Sequence, residues 1–304
     1  SRDGENRIHA VRYTPDDGNV RGIVQIVHGM AEYVERYENL AEFLTKRGIL
    51  VTGEDHLGHG KSVSEGGSFG YFCEQDPATV VVRDVHRLKK ITEEQYPQVP
   101  YIILGHSMGS FIARNYLCRY GSGIGGAVIV GTGMQPAGLI FASKAMAGIQ
   151  KLFCGSKHVS HFIDKAAFGG YNKRIDSPRT SSDWLSRNTE NVDRYIEDEL
   201  CGFTFTVNGF QTLFELIRRL QKQENLEKVP QNLPILMVSG AEDPVGDYGK
   251  GVHKACDSLK RAGVKNITVK LYENDRHELL NEDDAEVAME DIWQWICKEI
   301  PGIA

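Results

Sequence analysis

Residues 101–109, Tyr-Ile-Ile-Leu-Gly-His-Ser-Met-Gly, constrain the fold more than any other stretch, because Ser107 stands between Gly105 and Gly109 directly after a short apolar run. A serine in that G-x-S-x-G context sits at the apex of a sharp strand-to-helix turn, with a strained backbone and an exposed hydroxyl. Glycine two positions to either side leaves room for the turn. Residues 110–120 then carry Phe111, Ile112, Tyr116 and Leu117 at the spacing of a buried helix face and stop at Gly121. A tight turn with an inert serine is the plain alternative. The strand before and the helix after favour a nucleophile.

The rest of the chain repeats that strand-then-helix rhythm. Residues 7–14 alternate apolar and polar and precede a turn at Pro15 to Gly18, as an antiparallel edge would. Residues 23–27 form an interior strand by their β-branched content, and they run into His28, Gly29 and Met30. Tyr37, Leu40, Phe43 and Leu44 recur at helical spacing over 36–47, and residues 49–52 read as the next strand. A helix over 79–95 is expected to bury Val82, Val85, Leu88 and Ile91, and a further strand follows at 126–130. After a long interruption come a strand at 234–240, a helix at 250–262, a strand at 267–272, and a last helix at 285–300 that should turn Val287, Ile292, Trp295 and Ile296 inward. Such alternation predicts an α/β fold with a mostly parallel, doubly wound sheet.

The interruption, residues 134–230, has helix and loop character without a convincing strand and is too long for a connection in a compact unit. It is expected to be an inserted helical cap on a core made of residues 1–133 and 231–304. Its first part, residues 139–153, is amphipathic and rich in flexible or aromatic groups, which suits a lid lining an acyl pocket.

Composition narrows the function. A net charge of −6 and no clustered Lys/Arg argue against nucleic acid as a partner. No apolar run approaches the length of a membrane span, and the first residues are polar rather than an apolar signal region. The six cysteines are scattered without C-x-x-C spacing and read as reduced thiols, so a cytoplasmic location is expected. Asp55, His56 and His59 could suggest a metal site. Gly58 and Gly60 argue instead for a tight loop, and no metal is expected.

Serine is a poor nucleophile at neutral pH unless a histidine takes its proton and a carboxylate fixes that histidine's tautomer. Ser107, Asp243 and His277 each follow a strand inferred independently, and in a parallel sheet those strand ends gather on one edge. Asp247 and Asp275 compete for the carboxylate role. Asp243 is preferred because it comes soonest after its strand, with Pro244 stiffening the turn. His253 falls within a helix and reads as a surface residue, and His28 reads as a ring that pins its loop by hydrogen bonding.

The set His28-Gly29-Met30-Ala31-Glu32, residues 55–62 (Asp-His-Leu-Gly-His-Gly-Lys-Ser), residues 105–109, residues 241–245 (Ala-Glu-Asp-Pro-Val) and the late His277 resembles the monoacylglycerol lipase and lysophospholipase branch of the α/β hydrolases, sometimes filed with serine aminopeptidases. The likeness runs in order through nearly the whole chain. It implies hydrolysis of a carboxylic ester bearing one long acyl chain, through an acyl-enzyme and without a metal or organic cofactor. It also implies that the backbone N–H groups of Met30 and Met108 form the oxyanion hole, with His28, Gly29, Gly105, His106 and Gly109 supporting the loops. The partner would be a small acyl ester or lipid, with transient contact to lipid surfaces. A peptidase on the same triad would need cap carboxylates to hold an ammonium, and Glu190, Asp193, Glu197, Asp198 and Glu199 are available, although so dense a run suits a solvated helix face. A binding protein that had lost catalysis would not need the three residues together, and a dehalogenase would need a carboxylate where Ser107 stands.

Overall fold

A computed structural model describes residues 1–303. Seven strands form one sheet: β1 (Ala10–Tyr13), β2 (Gly22–Val27), β3 (Ile49–Glu54), β4 (Tyr101–His106), β5 (Gly126–Val130), β6 (Ile235–Gly240) and β7 (Ile267–Tyr272). Their order is β1-β3-β2-β4-β5-β6-β7, and only the β1–β3 pairing is antiparallel. The five central strands are buried along their whole length, as strands covered on both faces must be, which is why they read as near-continuous apolar runs.

Alternate side chains divide the core. Val24, Ile26, Ile102, Leu104, Val128 and Val238 face α1 (Glu38–Thr45) and α10 (Ala285–Glu299), whereas Ile23, Ile103, Ala127, Ile129 and Met237 face α2 (Pro77–Gln95), α3 (Met108–Tyr120) and, further on, α9 (Lys250–Arg261). A 3-10 turn at Val34–Tyr37 occupies the start of the expected first helix.

Two expected helix faces are met in part: Val82 and Val85 of α2 and Ile292, Trp295 and Ile296 of α10 are buried, but Ile91 and Val287 are not. In α2 the buried residues are Ala78, Val80, Val81, Val82, Asp84, Val85, Lys89 and Thr92, while Ile91 is 45% exposed and Leu88 only half-buried. A polar stripe is tolerated because Lys89 lays its stem along the core, sends its ammonium to Glu93 at 2.5 Å and approaches the Tyr101 ring. In α10, Ala288 and Met289 turn inward beside Ile292, Trp295 and Ile296, and Val287 lies at the surface.

Between β5 and β6 lie α4 (Ala137–Cys154), α5 (His161–Phe168), α6 (Thr189–Glu197), α7 (Val207–Leu220) and α8 (Gln223–Leu226), with 3-10 turns at Tyr171–Arg174 and Asp183–Leu185. The segment is not uniform. Phe210, Leu213, Phe214, Ile217 and Leu220 are buried on α7, which packs on α4 of the insertion and also on α2 and α3 of the core. By contrast, α4 buries only Ile140 and Ala147, and Phe141, Leu152 and Phe153 are 77%, 84% and 85% exposed.

Candidate active site

The turn after β4 is built as its glycines require. Ser107 sits at φ 54°, ψ −122°, a region that a residue with a side chain enters only when its surroundings force it. A Cβ on Gly105 would lie 2.4 Å from the Gly109 carbonyl oxygen, and one on Gly109 would lie 1.9 Å from that of Val27. Neither obstacle is a flexible side chain. The two glycines therefore let the first turn of α3 sit against the end of β2, which brings Ser107 beside the loop starting at His28.

Asp243 and His277 meet from the ends of β6 and β7. Asp243 is fully buried; its Oδ1 accepts the Val245 N–H at 2.8 Å, and its Oδ2 accepts the Ser239 hydroxyl at 3.1 Å and lies 3.0 Å from His277 Nδ1. With the carboxylate ionised, Nδ1 carries the proton and donates, which leaves Nε2 as an acceptor. Ser107, Met108, Met30 and His277 all line one cavity of about 910 Å³, together with Leu139, Ile140 and Met146 of α4 and Phe214 and Ile217 of α7.

The competing residues are paired elsewhere or exposed. Asp275 is paired with Arg187, and Asp247 lines the cavity mouth with a left-handed backbone at φ 47°. His253 is exposed. Glu190, Glu197 and Glu199 are exposed, Asp193 pairs with Arg179 at 2.9 Å, and Asp198 accepts the Tyr33 hydroxyl at 2.8 Å.

The histidines near the β2 and β3 ends are buried neutral rings. His28 Nδ1–H donates to the Gly29 carbonyl at 2.8 Å, and Nε2 accepts the His56 N–H at 3.0 Å, an arrangement that fits one neutral tautomer. Burial lowers the pKa of His28 and of His56, and it brings that of His59 down to about 3. His56 Nε2 donates to the His28 carbonyl, and His59 Nδ1 to that of Leu57, so each spends a nitrogen on the backbone. Among the described residues one cluster has ligand spacing for a metal: His9, Glu35 and Asp55, outside the cavity lining. There the Lys61 ammonium already sits on Glu35, and the two Asp55 oxygens accept the N–H groups of Val34 and Lys61.

A buried ionic network that local sequence patterns did not single out surrounds this machinery. Arg36 donates through Nη1 to Glu32 at 2.8 Å and forks onto Glu278 at 2.7 Å through both terminal nitrogens. Glu278 also accepts from Asn191 of α6 at 2.6 Å, and Arg36 lies 5.0 Å from the Tyr195 ring centroid. Glu32 accepts the Gly29 N–H and the Tyr37 hydroxyl, which steadies the loop carrying Met30. Burial alone would raise both carboxyl pKa values, but hydrogen bonds and the neighbouring cations hold Glu32 and Glu278 low. His106 bridges Glu32 and the His277 carbonyl, its Nε2 3.1 Å from that oxygen; burial opposes its charge, yet Glu32 raises its pKa. The i,i+4 spacing of Glu32 and Arg36 is the one local signal for this network.

Comparison with known proteins places this architecture. A family model described as serine aminopeptidase, S33, matches residues 18–284. The monoglyceride lipase of Rattus norvegicus is 29% identical over 273 residues, covering 89% of this chain and 80% of that one. The monoacylglycerol lipase of Mycolicibacterium smegmatis is 27% identical over 289 residues, covering 95% and 92%. A thermostable carboxyl esterase from Bacillus coagulans, solved in complex with glycerol, superposes with a TM-score of 0.91 at 30% identity, covering 99% of this chain and 96% of that one. The chain belongs to the serine aminopeptidase S33 family, in the monoacylglycerol lipase-like branch of the α/β hydrolases.

Proposed function

We propose that this chain is a serine hydrolase that cleaves carboxylic esters with one long acyl chain, of the monoacylglycerol or lysophospholipid type. The observation that carries this reading is a serine on a strained strand-to-helix turn sharing an apolar-walled cavity with a histidine whose other nitrogen faces a buried aspartate. In this mechanism His277 Nε2 takes the Ser107 proton as Oγ attacks the ester carbonyl, and the N–H groups of Met30 and Met108 stabilise the oxyanion. Collapse passes the proton from His277 to the departing alcohol and leaves an acyl-enzyme. Water then repeats the sequence and frees the acid.

Helices α4 to α6 serve as the cap, with the Leu139, Ile140 and Met146 face over the acyl chain; α7 is the floor beneath it. The named activities of the rat and mycobacterial relatives support a lipid ester as substrate. None of the five cap carboxylates lines the cavity, which supports esters over peptides with a free amino terminus. Six free cysteines support a reducing, cytoplasmic setting, and no helix among the described residues is long and apolar enough to cross a membrane.

The test is a chain-length series of monoacylglycerols, lysophospholipids, short aryl esters and aminoacyl arylamides, run beside Ser107→Ala. Long-chain ester turnover in the wild type and none in the variant is expected. Turnover surviving in Ser107→Ala, or arylamides outpacing esters, would overturn the reading.

A further inference from the structure

We infer that Trp184, on the inserted segment, is a positioning residue for His277, held opposite the imidazole by a clamp between the two loops; the inference rests on the hydrolytic triad proposed above. The neighbours of His277 grip the neighbours of Trp184 in register. On one side, Arg276 Nη1 donates to the carbonyls of Asp183 at 2.7 Å and Ser186 at 3.0 Å. On the other, the Glu278 N–H donates to the Leu185 carbonyl at 2.6 Å. Residues 276 and 278 thus fix 183 and 185, so residue 184 faces residue 277. The rings accordingly lie with centroids 5.1 Å apart and planes inclined by 39°.

Two further braces make the register stiff. Glu282 is buried between the loops: Oε1 accepts the Arg276 N–H at 2.9 Å, while Oε2 accepts the Ser186 hydroxyl at 2.8 Å and the Arg187 N–H at 2.9 Å. On the cap side, the Trp184 backbone N–H donates to Asn172 Oδ1 at 2.9 Å, and Tyr171 sets its ring edge-on to the indole at 4.8 Å. Trp184, Tyr171 and Phe168 all line the cavity, so the indole is the member of an aromatic wall that reaches the imidazole.

An aromatic ring there acts on the chemistry in two ways. Together with the His106 ring, whose centroid lies 4.8 Å from that of His277, it limits the orientations open to the imidazole about the Asp243 contact. It also presents a π-system to the imidazolium that forms as Ser107 gives up its proton, an interaction stronger in the transition state than with the neutral ring of the ground state. A group acting only there changes kcat and leaves KM nearly untouched.

The experiment compares the full-length wild type, Trp184→Phe and Trp184→Ala by steady-state kinetics on a short aryl ester and a long-chain monoacylglycerol. Labelling rates with a small fluorophosphonate are measured in parallel, and circular dichroism verifies folding. Trp184→Ala is expected to lose about tenfold in kcat on both esters with KM within about twofold, and to label about tenfold more slowly. Trp184→Phe should recover to within about threefold of wild type, since a ring is restored. A normal labelling rate in Trp184→Ala, with turnover lost only on the long ester, would make Trp184 a substrate contact and overturn the inference. Equal loss in Trp184→Phe and Trp184→Ala would also overturn it. Failure of the triad reading is seen separately, as labelling or turnover that persists in Ser107→Ala.

Discussion

Replacing Arg36 by methionine keeps most of the side-chain volume and removes one charge, leaving Glu32 and Glu278 as two buried carboxylates facing each other. Three of the Arg36 contacts, at 2.7, 2.7 and 2.8 Å, go to those carboxylates, and the side chains of Glu32 and Glu278 are 4% and 3% exposed. Deleting one partner of a buried ion pair costs about 3 to 5 kcal/mol. An unfolding entropy of about 2.1 cal/mol/K per residue gives about 0.64 kcal/mol/K for 304 residues, so Tm should fall by about 5 to 8 °C at pH 7. The pH dependence has a definite sign. In the wild type both carboxyl pKa values are held below their unfolded values, so their stabilisation is complete above the unfolded pKa and is lost as pH falls through the folded one. In Arg36→Met they rise instead, and protonation relieves the repulsion, so the gap between the two proteins should narrow from pH 8 to pH 5. Thermal melts monitored by circular dichroism at several pH values measure it. A drop of less than about 2 °C at pH 7, or a gap that does not change with pH, would refute the reasoning.

Two more outcomes follow from the same geometry. Asp243→Asn should keep the fold and lose about 10³ to 10⁴ in kcat, because an amide can donate to His277 Nδ1 and stabilise the wrong tautomer; steady-state kinetics on an aryl ester would show it. His59 is neutral in the fold, with a pKa of about 3, but titrates near 6.5 when unfolded, so the unfolded chain binds the extra proton between those values. Stability should therefore decline as pH falls from about 6.5, and the slope of Tm against pH should be shallower in His59→Gln.

The elements that carry the chemistry were legible in the primary sequence because their signals are local. The turn at Ser107 depends on glycines two positions away, and the central strands announce themselves as apolar runs since both faces are covered. Where a helix faces two kinds of neighbour, locality fails. The apolar spacing of α2 pointed to Leu88 and Ile91, whereas the core takes Lys89 and Thr92, with the Lys89 ammonium 5.6 Å from the centre of the Tyr101 ring on β4.

The amino-acid order by itself determined the α/β rhythm, the serine turn and the strand ends at which a base and a carboxylate could stand, since backbone sterics and side-chain alternation act over a few residues. Tertiary structure alone decided that α7 is buried while α4 turns Phe141 and Phe153 outward, that Arg36 joins Glu32 to Glu278, and that Trp184 lies over His277. Those contacts span 242 positions in one case and 93 in the other, and only the convergence of loops at one edge of the sheet makes them neighbours.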